Sequence, residues 1–135
     1  MRIYISAAVA EIDRARSAAD AVRSLGCDVT SDWIEAIKPD SPHDRDMTDA
    51  DRQRVAIQDL DGIERCGLLW LLVPAERRGR GAWVELGFAL ARGRTVICSG
   101  PDARETIFTS LCSRTFAADL DALAWLASRE DRRRM

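Results

Sequence analysis

Apolar positions along this chain follow two rhythms. Short runs at Ile3 to Ser6, Cys27 to Ser31, Gly67 to Val73, Thr95 to Cys98 and Arg114 to Phe116 read as strands. Gly67 to Val73 is apolar without alternation, which predicts a central strand buried on both faces. Between the runs, apolar residues recur at helical spacing. Ile12, Ala15, Ala19, Val22 and Leu25 mark a helix over 10–25, and Gly26 stands where a helix C-terminus favours glycine. Thr48 followed by Asp51 resembles a capping box with Asp in place of Glu. It opens a helix to about Arg65, with Val55, Ile57, Leu60 and Ile63 mostly inward. Ala82 to Arg92 is a further helix, ended by Gly93. A short helix is expected near Glu105 and a last one from about Asp119. Lys38 to Asp46, with two prolines, and the charged, glycine-containing Ala75 to Arg80 read as loops.

Strands alternating with helices imply α/β class and a parallel sheet with right-handed crossovers. About five strands in 135 residues predict a flavodoxin-like three-layer sandwich, with residues 1–135 forming a single domain. Ligands of open α/β sheets bind beyond the carboxyl ends of the strands. The positions to search therefore follow Ile5, Ser31, Val73 and Cys98.

Composition narrows the function classes. Formal charge is −2, and Lys38 is the sole lysine. Such a balance gives no nucleic-acid footprint, which needs a basic excess on one face. The basic stretch from Arg129 to Arg134 reads as a solvated helix end. Met1 to Ser6 is too short an apolar stretch for a signal peptide, and Gly67 to Val73 is too short to span a bilayer. A cytoplasmic location and no membrane partner are expected. Cys27, Cys66, Cys98 and Cys112 form no CxxC pair, and His43, in a loop, is the one imidazole. Free thiols and no metal site are the expectation.

Three residues stand out for chemistry: Tyr4 on the first strand, Asp59 on the helix before the central strand, and Glu85 in the first turn of the helix after it. A glycine-containing loop lets a ligand approach the backbone, and a helix N-terminus favours an anion. A carboxylate there stays ionised at neutral pH and can act as a nucleophile. It can equally do no more than complement the helix dipole, and the residues alone leave both readings open.

The segment Trp83-Val84-Glu85-Leu86-Gly87-Phe88-Ala89, followed by Arg92 to Ile97, resembles a block of the nucleoside 2-deoxyribosyltransferase superfamily. Gln58-Asp59-Leu60-Asp61-Gly62-Ile63 and Ile3-Tyr4-Ile5-Ser6-Ala7-Ala8 resemble two more, in the right order, with about 26 positions between Asp59 and Glu85. Thr30 to Trp33 and Glu105 to Phe108 resemble shorter motifs of bacterial and phage members. The resemblance implies cleavage or transfer at the N-glycosidic bond of a (deoxy)nucleoside or nucleoside 5′-monophosphate. Glu85 would be the nucleophile, Asp59 the group assisting departure of the base, and Tyr4 the hydrogen-bond donor orienting the glutamate. This is the logic of a retaining glycosidase. It needs no cofactor. It also implies a homo-oligomer, a dimer or larger, whose neighbours complete each site.

The substrate shell departs from the family pattern. Gly79 stands about six residues before the glutamate, where the resemblance would put a base-binding aspartate or a phosphate-binding serine. Ala8 replaces another such serine, and Thr106 an asparagine. Ser6, Gly79, Gly81 and Thr106 remain the candidates for substrate binding, with Trp33 and Trp83 able either to stack on a base or to pack. Arg77, Arg78 and Arg80 offer a phosphate contact or a solvated loop. The altered shell keeps a second class open: a non-catalytic nucleotide-binding or sensing module of the same fold.

Overall fold

A computed structural model describes residues 1–75 and 79–135. Five strands form one sheet: β1 (Arg2–Ser6), β2 (Asp28–Val29), β3 (Leu68–Leu72), β4 (Thr95–Ser99) and β5 (Arg114–Phe116). The order is β2-β1-β3-β4-β5 and every pairing is parallel. This is the flavodoxin-like order, with its switch point between β1 and β3. Five helices connect and cover the strands: α1 (Ile12–Ser24), α2 (Trp33–Ala36), α3 (Asp49–Arg65), α4 (Arg80–Ala91) and α5 (Asp119–Arg134). The expected α/β class and sheet are therefore present.

β3 is buried along its whole length, as its unalternating sequence requires. Its register aligns Tyr4 with Leu69 and Trp70 with Ile97. At the carboxyl end of β3 and β4 a polar clamp closes the sheet. Arg14 of α1 donates to both carboxylate oxygens of Asp119 on α5, at 2.7 and 2.9 Å, and to the carbonyl oxygens of Val73 and Ser99. Ser99 donates to Asp119 at 2.6 Å and accepts from the Trp70 indole at 2.8 Å. One edge position expected to face a ligand, the one after Cys98, is thus committed to holding helices on the sheet.

Several expectations need correction. The first helix opens as a 3-10 turn at Val9–Glu11 before α1 begins. β2 keeps two residues where five were expected, and the short α2 follows it. The segment near Glu105 is a 3-10 helix over Ile107–Leu111. On α3, Ile63 is buried but Ile57 is 59% exposed. Positions so spaced lie far apart around a helix and cannot share an inward face. Thr48 does cap α3, accepting from the Asp51 N–H at 3.2 Å.

Candidate active site

Tyr4 and Ser6 are two residues apart on β1, so both side chains leave the same face of the sheet. They meet Glu85 of α4. The Tyr4 hydroxyl donates to Glu85 Oε2, and the Ser6 hydroxyl donates to Oε1 at 2.8 Å. Ser6 Oγ also lies 3.3 Å from the Ala82 carbonyl oxygen. Its single proton serves the shorter, charge-assisted contact better. Each carboxylate oxygen therefore has one donor, and both donors are fully buried.

Gly62 brings α3 against this pair. A Cβ there would lie 2.6 Å from the Thr30 carbonyl oxygen and 3.0 Å from the Tyr4 ring. Thr30 Oγ1 donates to the Gly62 carbonyl at 2.8 Å and fixes the approach. Asp59 lies three residues earlier on the same helical face. It is close enough that its charge raises the pKa of both Tyr4 and Glu85. The three residues expected to carry chemistry thus converge beside the switch point.

Burial governs the electrostatics. It pushes the Glu85 carboxyl up to about 7, against the downward pull of the Tyr4 and Ser6 hydrogen bonds, with the Asp59 charge adding to the rise. Asp59 is pushed up to about 6, first by burial and then by Asp44 and Asp32. The Tyr4 hydroxyl is raised far above the ordinary phenol range, by burial first and then by Glu85 and Asp59, so it remains a donor. Both carboxyls therefore titrate closer to neutrality than an ordinary carboxylate, chiefly because each is desolvated. A fully ionised Glu85 at neutral pH was the expectation; desolvation overturns it.

The location of Glu85 within its helix offers little to offset that burial. α4 begins at Arg80, and its first turn holds no acid. Glu85 lies in the second turn, two residues further from the helix start than the sequence suggests, where the dipole has largely faded. Simple complementation of the dipole is therefore not its role. Gly79 forms the N-cap in the left-handed region at φ 72°, packed so that a Cβ would strike Pro74 at 2.7 Å and Ala8 at 3.0 Å. Glycine at this position is a requirement of the backbone.

The other expected substrate contacts divide. Gly81 precedes Glu85 by four residues, on the same side of α4, and a Cβ there would meet nothing within 4 Å. It leaves open space at the helix surface one turn before Glu85. Trp33 is buried in the core, and its indole N–H donates to the Ile5 carbonyl at 3.0 Å. Trp83 and Thr106 come together with Val84, Leu86, Gly87 and Phe108 around an apolar groove of about 390 Å³. Two residues along a helix turn the side chain by about 200°, so this groove lies across α4 from Glu85. Arg80 is exposed at the start of α4, while Arg77 and Arg78 lie outside the described residues. Among the described residues, no cluster of three or more His, Cys, Asp or Glu side chains can hold a metal ion, and no helix is long and apolar enough to cross a membrane.

Sequence reasoning placed Ser6 among substrate contacts and missed that its hydroxyl is spent on Glu85. The signal was present: Ser6 shares a strand face with Tyr4. The clamp of Arg14, Asp119, Ser99 and Trp70 was also missed, because its members are far apart in sequence and follow no motif.

A doubly hydrogen-bonded glutamate thus stands near a second raised carboxyl, at the switch point of a parallel sheet. The family model for nucleoside 2-deoxyribosyltransferases matches residues 3–123, and the chain belongs to that family. Among solved structures, a conserved protein from Enterococcus faecalis V583 superposes with a TM-score of 0.70 at 19% identity, covering 96% of this chain and 98% of that one. A 2-deoxyribosyltransferase from the psychrotolerant bacterium Bacillus psychrosaccharolyticus gives 0.69 at 20% identity, over 91% and 90%. The CMP N-glycosidase of Clostridium botulinum gives 0.54 at 14% identity, over 93% and 98%. At these identities the likeness shows the shared fold. No curated protein sequence matches the chain.

Proposed function

We propose that this single-domain chain cleaves or transfers at the N-glycosidic bond of a nucleoside or nucleoside 5′-monophosphate. The observation that carries the reading is the Glu85 carboxylate held by a donor on each oxygen, Tyr4 on one and Ser6 on the other. Family membership supports the bond class, and the two named relatives, a deoxyribosyltransferase and a CMP N-glycosidase, suggest its two outcomes.

In the first step one Glu85 oxygen attacks the anomeric carbon, and the bond to the base breaks. The base leaves with a proton supplied by Asp59, giving a glycosyl ester on Glu85. In the second step Asp59 takes a proton from water, or from an acceptor base, as that nucleophile displaces Glu85. Water gives hydrolysis and a base gives transfer. The productive form has a proton on Asp59 and the charge on Glu85; the Tyr4 and Ser6 hydrogen bonds stabilise that charge and oppose the rise that burial imposes on Glu85. Tyr4 and Ser6 act as positioning residues, holding the carboxylate in one rotamer. The open space beside Gly81 admits the sugar, and exposed Arg80 is available to a 5′-phosphate. The free thiols suit a reducing cytoplasm.

Prolonged incubation with a panel of nucleosides and nucleoside monophosphates, with chromatography for free base, tests the reading. Release of base from at least one member, abolished in Glu85→Gln, is expected. Saturable binding of a nucleotide without release of base from any member would instead mark a sensing module.

A further inference from the structure

Cys98 and Cys112 face each other across the two ends of the segment that joins β4 to β5. Their Sγ atoms are 2.8 Å apart. Cys98 lies on β4 with no exposed surface, while Cys112 is partly exposed. Backbone hydrogen bonds pin both ends. Ser113 N–H donates to the Val96 carbonyl at 2.8 Å, and Gly100 N–H to that of Phe116 at 3.0 Å. A covalent S–S bond is about 2.05 Å long, so the two sulfurs need to close by less than about 1 Å from where the fold already holds them. Neither thiol belongs to the Glu85 site.

We infer that Cys98 and Cys112 form a modifiable thiol pair, oxidised to an intramolecular disulfide by exchange with a low-molecular-weight disulfide. The bridge staples the segment between them, which supplies Thr106 and Phe108 to the groove on α4. This holds independently of the reaction proposed at Glu85.

The exchange runs in two displacements. Cys112, the accessible partner, attacks one sulfur of the small disulfide as its thiolate. The small S–S bond breaks, one small thiolate leaves, and Cys112 carries a mixed disulfide. Cys98 then gives up its proton, to the departed thiolate or to water, and attacks Cys112 Sγ, expelling the second small thiolate. Two protein thiols lose two electrons in all, and the small disulfide gains them as it becomes two thiols. The hydrogen bond between the pair favours this order. It lowers the Cys112 pKa, whereas the same bond and burial raise that of Cys98. The bridge closes a loop of about 15 residues, which restricts the unfolded chain and raises Tm by several degrees.

The test is to hold the folded chain in oxidised glutathione at pH 8, quench with an alkylating agent under denaturing conditions, and map the peptides by mass. The expected product is one cross-linked peptide pair joining Cys98 to Cys112. It has lost two hydrogens, is restored by dithiothreitol, and forms at least tenfold faster than any change at buried Cys27 or Cys66. Cys98→Ser is expected to stop at a glutathione adduct on Cys112. The wild-type map decides alone if that variant does not fold. A wild-type chain that stops at the Cys112 adduct, that leaves both cysteines alkylated, or that cross-links a different pair overturns the inference.

Discussion

Glu85 carries the account at the scale of the single residue. Burial raises its pKa from 4.5 to about 7, so the folded state holds a proton that the unfolded state releases. Its stabilising contribution is full below the unfolded value and is lost as pH rises through the folded one. Above pH 7 the buried charge therefore weakens the fold. Glu85→Gln keeps the shape and removes that charge, though its amide nitrogen can no longer accept from one of the two hydroxyls. The loss of stability above pH 7, measured by urea unfolding, is expected to flatten in this variant, while turnover falls by orders of magnitude. A glutamate that merely complemented a helix dipole would leave turnover unaltered. The pair also predicts a pH profile. Activity is expected to fall on the acid side of kcat/KM with an apparent pKa between the values of about 6 and 7 set by Asp59 and Glu85, and Asp59→Asn is expected to remove at least about a hundredfold of rate with poor leaving groups.

Packing between elements sets where these residues meet. Gly62 lets α3 lie against β1, with Thr30 and the Tyr4 ring in the way of any Cβ. Gly62→Ala is expected to cost about 1–3 kcal/mol and to lower kcat by displacing Tyr4 and Asp59 from Glu85. Gly81→Ala meets nothing within 4 Å and sits inside α4, so it is expected to add about 0.5–1 kcal/mol of stability. If that space admits the sugar, KM rises as well. Paired measurements of unfolding and kinetics on the two variants separate packing from access. The strands were legible because β3 and β4 are nearly unbroken apolar runs, and α3 because Thr48 caps it. The convergence of Tyr4, Asp59 and Glu85 was legible through motifs in order along the chain. What the sequence hid depends on long-range placement. The start of α4 at Arg80, two residues early, decides that Glu85 falls in the second turn. The opposite facing of Trp83 and Glu85 on one helix separates the groove from the carboxylate, and no local pattern announces the Arg14 to Asp119 clamp.

On the scale of the whole molecule, exposed apolar side chains gather on elements that flank the site. Ile57 on α3, Val84 on α4, and Ile107 and Phe108 between β4 and β5 are all more than half exposed. Homo-oligomerisation through these faces is the proposal, and light scattering at tens of micromolar is expected to report at least a dimer. Phe108→Glu, which puts a charge on that surface, is expected to shift the distribution toward monomer; a wild-type monomer would contradict the assembly. The central claim, a glycosyl ester on Glu85, is tested most directly by mass spectrometry of the intact protein mixed with a 2′-fluoro-2′-deoxynucleoside, whose fluorine slows release of the sugar. The account predicts a stable mass increase equal to one fluorodeoxyribosyl group, mapped by peptide sequencing to Glu85 and absent in Glu85→Gln. An unmodified protein that releases base steadily, or an adduct on a residue other than Glu85, would contradict it.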